Sequence, residues 1–470
     1  MDKNTRSRNA GQDTAAQRSS ERPNLVFIFA DDWGWGDLGC YGHQQVKTPN
    51  LDRLASQGVL FTQFYVCSGV CSPSRASVMT GKFPARLGIH GHFAPHERNA
   101  ARGMPNFMDP SIPTVTRLLQ QAGYRVGHFG KWHLGHGPGA PDPFAYGIDE
   151  CKINVGNGPT LPFGADTGRG FLPGMRHRSS EVIIDETISF IERHGEGPFF
   201  VQAWLNDTHA TLDPSEEQLE PYRRFFVRGL EDKYKGALAI YYATVTNADR
   251  QIGRLLDKLD AMGLADNTVV IFSADNGPED IVIGNASHSG VGSPGPFRGR
   301  KRSLYEGGIR TPFIVRWPNG GGPAGLIDNT TPLCGVDLPP TFCKLAGVEL
   351  PGHLQLDGED MSQALCGTPT HRATPLMWEW RFRVHGHCIN RSPMLAIRDG
   401  DWKLLMNPNR DRVELYDIPR DPMELNNRTE NHPGVVEDLA EKVLQWQATL
   451  PPGPVDDEAG SNAYPWPGTR

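Results

Sequence analysis

Five apolar runs of strand length set the rhythm of the chain. The first, Asn24–Ala30 (NLVFIFA), is apolar without alternation, as expected of a parallel strand covered on both faces. Similar runs follow at 59–66, 124–129, 198–205 and 267–273. Between them the pattern changes to helical spacing. Thr48-Pro49-Asn50 opens a short helix carrying Leu51, Leu54 and Ala55, which stops at Gly58. A second helix covers 118–122 and closes at Gly123, and a third covers 180–193 with Val182, Ile183, Ile188 and Ile191 on one face. The clearest stripe is in 233–262, where Leu238, Tyr241, Val245, Ala248, Ile252, Leu255 and Leu259 recur at helical spacing before Gly263 as cap. Helix alternating with β-branched strand predicts an α/β fold, a large and mostly parallel sheet flanked by helices with right-handed crossovers.

The pattern shifts again near residue 365. Short runs at 394–398, 402–406 and 414–416, with turns at Asp399-Gly400-Asp401 and Pro408-Asn409, predict a smaller antiparallel sheet, and 434–450 reads as an amphipathic closing helix. The expected organisation is therefore a disordered leader over 1–22, an α/β domain over 23–365, and a C-terminal subdomain over 366–470 that ends in coil from 451. Residues 138–178, rich in Gly and Pro and without a period, read as a long surface excursion.

Composition narrows the choices. With 38% hydrophobic and 21% charged residues, the 470-residue chain is of globular type. A net charge of −7 argues against nucleic-acid binding, which needs a broad basic surface. No run of eighteen apolar residues exists, so no membrane span is expected. Residues 1–22 lack an apolar core, so no secretory signal is readable; the compartment reads as cytoplasmic, with export as the alternative if the leader is incomplete. The eight cysteines form no C-x-x-C pair and predict neither a disulfide framework nor a zinc site.

The chemistry gathers where the runs end. The first run stops in Asp31-Asp32, adjacent carboxylates that repel unless a cation intervenes, and the fifth stops before Asp275-Asn276-Gly277. In open α/β sheets ligands bind at that end of the strands. Hard oxygen donors from Asp31, Asp32, Asp275 and Asn276 suit Ca²⁺, with Mg²⁺ as the alternative, and disfavour zinc. The second run leads to Cys71-Ser72-Pro73-Ser74-Arg75, read as a helix start with Ser72 as cap and Pro73 first in the helix, which puts Cys71 at the helix mouth and Arg75 one turn on. Lys131 and His133 fall just past the third strand, and His209 follows the fourth. Gly290 to Gly295 matches G-x-G-x-x-G but neither follows a strand nor opens a helix, so it is no dinucleotide site. The cations after it, Arg298, Arg300, Lys301, Arg302 and Arg310, read mostly as a solvated face. Trp378, Trp380, Arg381, Arg383, His385 and His387 form an aromatic and basic cluster suited to anionic sugars. A hard cation beside Arg75, Lys131 and Lys301 implies a multi-oxygen anion as the substrate group, sulfate or phosphate.

These blocks carry a family resemblance. Cys71-Ser72-Pro73-Ser74-Arg75 with Thr80-Gly81-Lys82 resembles the sulfatase signature, C-x-P-x-R followed by a T-G-R-like element, with Lys82 in place of the commoner arginine. Asp31-Asp32-Trp33-Gly34, Gly130-Lys131-Trp132-His133, Ser273-Ala274-Asp275-Asn276-Gly277, Lys301 ahead of Glu306-Gly307-Gly308, and Arg398-Asp399-Gly400-Asp401-Trp402-Lys403 also resemble sulfatase blocks in order and approximate spacing. At 206–210 the family often has a proline after the histidine, where this chain has Ala210. The resemblance runs from about 24 to about 450 and is to formylglycine-dependent enzymes of the alkaline phosphatase superfamily, most like arylsulfatase and N-acetylgalactosamine-6-sulfatase types.

It implies that Cys71 is converted to formylglycine by a formylglycine-generating enzyme or an equivalent. Asp31, Asp32, Asp275, Asn276 and the modified Cys71 would then hold Ca²⁺. One hydroxyl of the hydrated aldehyde would attack sulfur in line and the other would later release sulfate. Arg75, Lys131 and Lys301 would neutralise sulfate oxygens, His209 with Lys301 would protonate the leaving alcohol, and His133 would take the diol proton. The implied substrate is a sulfated small molecule or glycan. The alternative in the same superfamily is a phosphonate monoester or phosphodiester hydrolase. A cysteine phosphatase fits poorly, because its loop needs C-x₅-R and Cys71 to Arg75 is C-x₃-R. A non-catalytic binder of sulfated glycans would not need His133 and His209 together with the metal ligands.

Overall fold

Leu25, Phe27 and Phe29 pack into one hydrophobic core while Val26, Ile28 and Ala30 pack into another, so the first run is buried on both faces. Those two cores lie on opposite sides of a nine-stranded sheet. The computed structural model describes residues 22–154, 176–226, 236–280 and 288–463. The expected leader, except for Arg22, and parts of the expected excursion (155–175), of the long helix (233–235) and of the tail (464–470) lie outside the described residues.

The strands are β1 (Asn24–Ala30), β2 (Val59–Tyr65), β3 (Arg125–Lys131), β4 (Glu150–Asn154), β5 (Phe199–Trp204), β6 (Thr268–Ala274), β7 (Arg310–Arg316), β8 (Leu326–Asp328) and β9 (Leu333–Cys334). Their order is β4-β3-β5-β1-β6-β7-β2-β8, with β9 also on β2. Every pairing is parallel except those of β7. The hydrophobic pattern does not announce β7, because Pro312 interrupts it. A proline cannot donate to the ladder, and the β2 register shifts between Phe61 and Phe64, opposite Pro312.

Helices α1 (Pro49–Ser56), α2 (Cys71–Thr80), α3 (Val115–Gln121), α4 (Ser179–His194), α5 (Ala237–Ala261), α6 (Leu338–Leu345) and α7 (Pro433–Ala448) sort by face. Leu51 and Leu54 of α1, Ile183 and Ile184 of α4, and the Ile252-Leu255-Leu259 stripe of α5 join the core under Val26 and Ile28. Met79 of α2, Leu119 of α3 and Phe342 of α6 join the other. No helix among the described residues is long and apolar enough to cross a membrane.

A second, antiparallel sheet runs in the order β10 (Leu376–Glu379), β11 (Leu395–Asp399), β12 (Trp402–Met406) and β13 (Val413–Asp417), with Leu439 and Val443 of α7 packed into the same core. The sequence reading missed β10, a four-residue strand inside the aromatic and basic cluster. This sheet is joined to the large one by charge as well as by apolar packing. Lys403 Nζ on β12 lies 2.8 Å from both Glu306 Oε1 and Glu424 Oε1, and all three side chains are fully buried. Tyr65 Oη on β2 donates to the other Glu306 oxygen at 2.8 Å, and Arg398 Nη2 on β11 donates to Gln63 Oε1 at 2.6 Å. Burial works against ionising Glu306, but Lys403 and then Arg310 hold its pKa down at about 2. Removing one member of such a group strands a buried charge. Lys403→Met is expected to lower the unfolding free energy by roughly 3–5 kcal/mol, read by urea denaturation.

Candidate active site

The parallel register of β1 and β6 sets Ala30 against Ala274, so the next residues emerge side by side, Asp31 beside Asp275 and Asp32 beside Asn276. Asp275 N donates to Ala30 O at 3.1 Å, and Asp32 N donates to Asp275 Oδ1 at 3.2 Å. β3 adds Lys131, which is the last strand residue and not, as the sequence implied, a loop residue beyond it. Its Nζ is 2.5 Å from Asp31 Oδ2. Lys301 Nζ lies 2.5 and 2.7 Å from the two oxygens of Asp32.

Cys71 is the first residue of α2, and Val70, in extended conformation, takes the capping position. The expectation that Ser72 caps the helix is therefore corrected: Ser72 Oγ instead accepts from Phe93 N at 3.0 Å, and Pro73 is third in the helix. Proline is tolerated there because the first-turn N–H groups have no partner within the helix. One turn on, Arg75 donates through Nε and Nη2 to Asp275 Oδ2 at 3.0 and 2.7 Å, and through Nη1 to Lys131 O at 3.2 Å. Its guanidinium lies 5.0 Å from the centre of the Trp204 ring.

Three buried carboxylates thus face three buried cations. Repulsion is still felt: burial and the charge of Asp31 raise Asp275 to about 6. For Asp32 burial acts in the same sense but is overcome by Lys301, which holds the carboxyl well below the usual range. Asp32 and His133 both have positive φ, 62° and 52°, unusual for residues with a side chain and a sign of backbone strain at the site.

Asp31, Asp32, Asp275 and Cys71 each offer a ligand atom, all within 4.8 Å of one another. Beside them Asn276 Nδ2 donates to Asp32 Oδ1 at 2.7 Å, while its Oδ1 is buried with no hydrogen-bond partner. A lone oxygen acceptor next to three carboxylates fits a hard divalent cation. The soft donor in the set is the thiol, and an oxygen function at position 71 would make it all-oxygen.

Cys71 Sγ lies 3.6 Å from Asp31 Oδ1. Burial, reinforced by Asp31 and Asp275 against the opposing lysines, pushes its thiol up to about 12. A thiol held protonated is not a thiolate nucleophile. His209 Nδ1 is 3.0 Å from Ala210 O and Nε2 is 4.0 Å from Asp32 Oδ2. Burial and the charge of Lys301 lower this ring to about 3. His133 Nε2 is 3.2 Å from Phe93 O, and its Nδ1 is buried without a partner. Burial and the charge of Lys131 keep that ring neutral.

Above these residues lies a cavity of about 450 Å³. Its floor includes Asp32, Cys71, His209 and Lys301, whereas Asp31, Arg75, Lys131, His133, Asp275 and Asn276 stand beneath or behind that surface. The walls bring in Trp380, Arg383 and His385 from the aromatic and basic cluster, but not Trp378, Arg381 or His387. Trp378 Nε1 donates to Val66 O at 2.8 Å inside the core, Arg381 pairs with Glu379 at 2.7 Å, and His387 caps the backbone at Ile389. The run read as a solvated face turns inward. Arg298 stacks 3.8 Å from the Tyr305 ring centre, Arg300 donates to Gly290 O and Gly292 O, and Arg302 and Arg310 pair with Glu279 and Glu306. His92, Arg98, Arg102, Glu279 and Phe382 also line the cavity and were missed. The density of His and Arg between His90 and Arg102 in an acidic chain was the available signal.

Fold and site first define a class, the α/β enzymes of alkaline-phosphatase-like architecture. The chain belongs to the sulfatase family and is a sulfuric ester hydrolase: residues 23–348 match the Sulfatase family model, and residues 297–449 match N-sulphoglucosamine sulphohydrolase, C-terminal. It is 34% identical over 376 residues to N-acetylgalactosamine-6-sulfatase of Canis lupus familiaris, covering 75% of this chain and 67% of that one. It is 30% identical to N-acetylgalactosamine-6-O-sulfatase of Bacteroides thetaiotaomicron, covering 90% and 93%. The crystal structure of Ps i-CgsB in complex with k-i-k-neocarrahexaose superposes with a TM-score of 0.75 at 26% identity, covering 92% of this chain and 94% of that one.

Saturating chelator-treated protein with Ca²⁺ at about a hundred times its Kd is expected to add about 2.7 kcal/mol of stability, visible as a higher Tm. Asp32→Asn is expected to abolish that rise.

Proposed function

We propose that the protein hydrolyses sulfate esters of carbohydrates and that Cys71 is converted to formylglycine. The observation that carries this is the position of Cys71, a protonated thiol on the cavity floor within 4.8 Å of three carboxylates. Formylglycine there, with a divalent cation held by Asp31, Asp32, Asp275 and Asn276, would supply an oxygen nucleophile and positive charge that the thiol lacks. Cys71, Pro73 and Arg75 are all buried, so a formylglycine-generating enzyme or equivalent reaches them before the fold closes.

Lys301 on the floor and Lys131 just below it, anchored by Asp32 and Asp31, set positive charge where sulfate oxygens would lie. Arg75 acts from one layer deeper, fixing Asp275 and the Lys131 carbonyl. His209 faces the leaving group. With Nδ1–H donated to Ala210 O, its Nε2 carries a proton only when the ring is cationic, and the negative charge of an arriving ester opposes Lys301 and favours that state. Nε2 then passes the proton to the departing alcohol oxygen. His133, with Nε2–H donated to Phe93 O, keeps a free lone pair on Nδ1 and serves as the base in the step that frees sulfate. The carbohydrate class rests on the relatives' names and on the edge-on pair Trp380 and Phe382, 5.4 Å apart at the cavity wall.

A mass spectrum of the peptide spanning Cys71 from active, natively produced protein is expected to show the aldehyde; an unmodified thiol would overturn the mechanism. Cys71→Ala should cost at least about 10³ in kcat. Rates on an aryl sulfate should exceed those on phosphonate monoesters and phosphodiesters, and a strong preference for phosphorus would favour the other hydrolase. His209→Asn is expected to slow alkyl and sugar sulfates by roughly 10²–10⁴. It should affect 4-nitrophenyl sulfate far less, since that leaving group needs no proton.

A further inference from the structure

Most charges around the cavity have partners. Lys301 is held by Asp32, Arg302 by Glu279 and Arg383 by Glu458. Arg98 and Arg102 make no ion pair among the described residues, although both line the cavity. The Arg102 guanidinium donates through Nη1 to His92 O at 3.3 Å and rests 5.1 Å from the Phe382 ring centre. Burial, together with the like charges of Arg98 and Arg302, pulls Arg102 down to about 10. Clustered like charges facing a cavity favour an anion that relieves them.

Two buried donors in the cavity-lining residues also stand without partners. Trp380 is 4% exposed and lines the cavity, yet its indole Nε1–H has no hydrogen-bond partner. Arg383 also lines the cavity, and its buried Nε has none. The ester sulfate would be matched by Lys131 and Lys301, so these wall groups are surplus to it.

We propose that Arg98 and Arg102 form a second anion subsite that takes a further sulfate or carboxylate of the same carbohydrate. The subsite rests on the sulfatase reading and narrows its substrate to sugars with at least two anionic groups. Guanidinium groups suit both anions because they donate two N–H groups in a fixed fork. The aromatic surface of Trp380 and Phe382 would support the apolar face of the ring between the two charges.

The test compares kcat/KM on 4-nitrophenyl sulfate, N-acetylgalactosamine 6-sulfate, the 4,6-disulfate of that sugar, and a disaccharide joining the 6-sulfate to a hexuronate. In the wild type the added sulfate or the added carboxylate is expected to raise kcat/KM about tenfold or more over the monosulfate, and which of the two does so identifies the anion. Arg98→Ala and Arg102→Ala should each remove most of that ratio, chiefly through KM, while Arg102→Lys retains much of it. Arg98 is exposed, so its variant keeps the test valid if Arg102→Ala folds poorly. A ratio unchanged in the variants, or absent in a wild type that still cleaves 4-nitrophenyl sulfate, overturns the subsite alone. A wild type that cleaves no sulfate ester overturns the sulfatase reading with it.

Discussion

Three carboxylates and three cations buried at the C-terminal ends of the parallel strands are the constraint on which the rest of the structure depends. Asp31, Asp32 and Asp275 would repel one another in a dry interior, and Lys131, Lys301 and Arg75 answer them nearly one for one. Each cation comes from a different element, so β3, the segment before β7, and α2 must all be in place before the β1 and β6 ends can be buried. The pairing thereby ties the folding of the sheet to the assembly of the site. Strain in the backbone at Asp32 and His133 is tolerated because these contacts over-determine the loops that carry it.

The same arrangement works against a thiolate at position 71. Between carboxylates and under a covered floor its ionised form is disfavoured, while every neighbouring donor is a hard oxygen. Geometry makes Arg75 an organiser more than a contact. Its donors are committed to Asp275 and to the Lys131 backbone, and it shapes the position of two other charges from behind the reacting surface.

The smaller sheet is bound to the larger through Lys403, Glu306 and Glu424, and that junction is what brings Trp380, Phe382 and Arg383 over the floor. The cavity is therefore lined from both parts of the chain. Asp32 and His209 of the floor follow strand ends, and Cys71 opens α2. The wall is built on connecting segments, which can vary without disturbing the charge balance below.

Much of this was legible in the residues themselves. Uninterrupted apolar runs specify strands buried on both faces, and acidic or basic clusters at their ends specify where charge must be managed, because both are consequences of local composition. The order of the blocks around Cys71, Asp31 and Asp275 added the family. What stayed hidden depends on partners distant in sequence. Pro312 conceals β7 until the shifted register of β2 is seen opposite it. Arg298, Arg300 and Arg310 read as solvent-facing until Tyr305, two glycine carbonyls and Glu306 are found beside them. Arg98 and Arg102 gain meaning only when the chain brings them to the cavity that Phe382 and Trp380 also line. Local sequence determined most of the elements and the titratable groups at their ends, whereas tertiary structure decided which charges were neutralised and which, among the described residues, face the cavity without an ion pair, since pairing depends on distance in space and not along the chain.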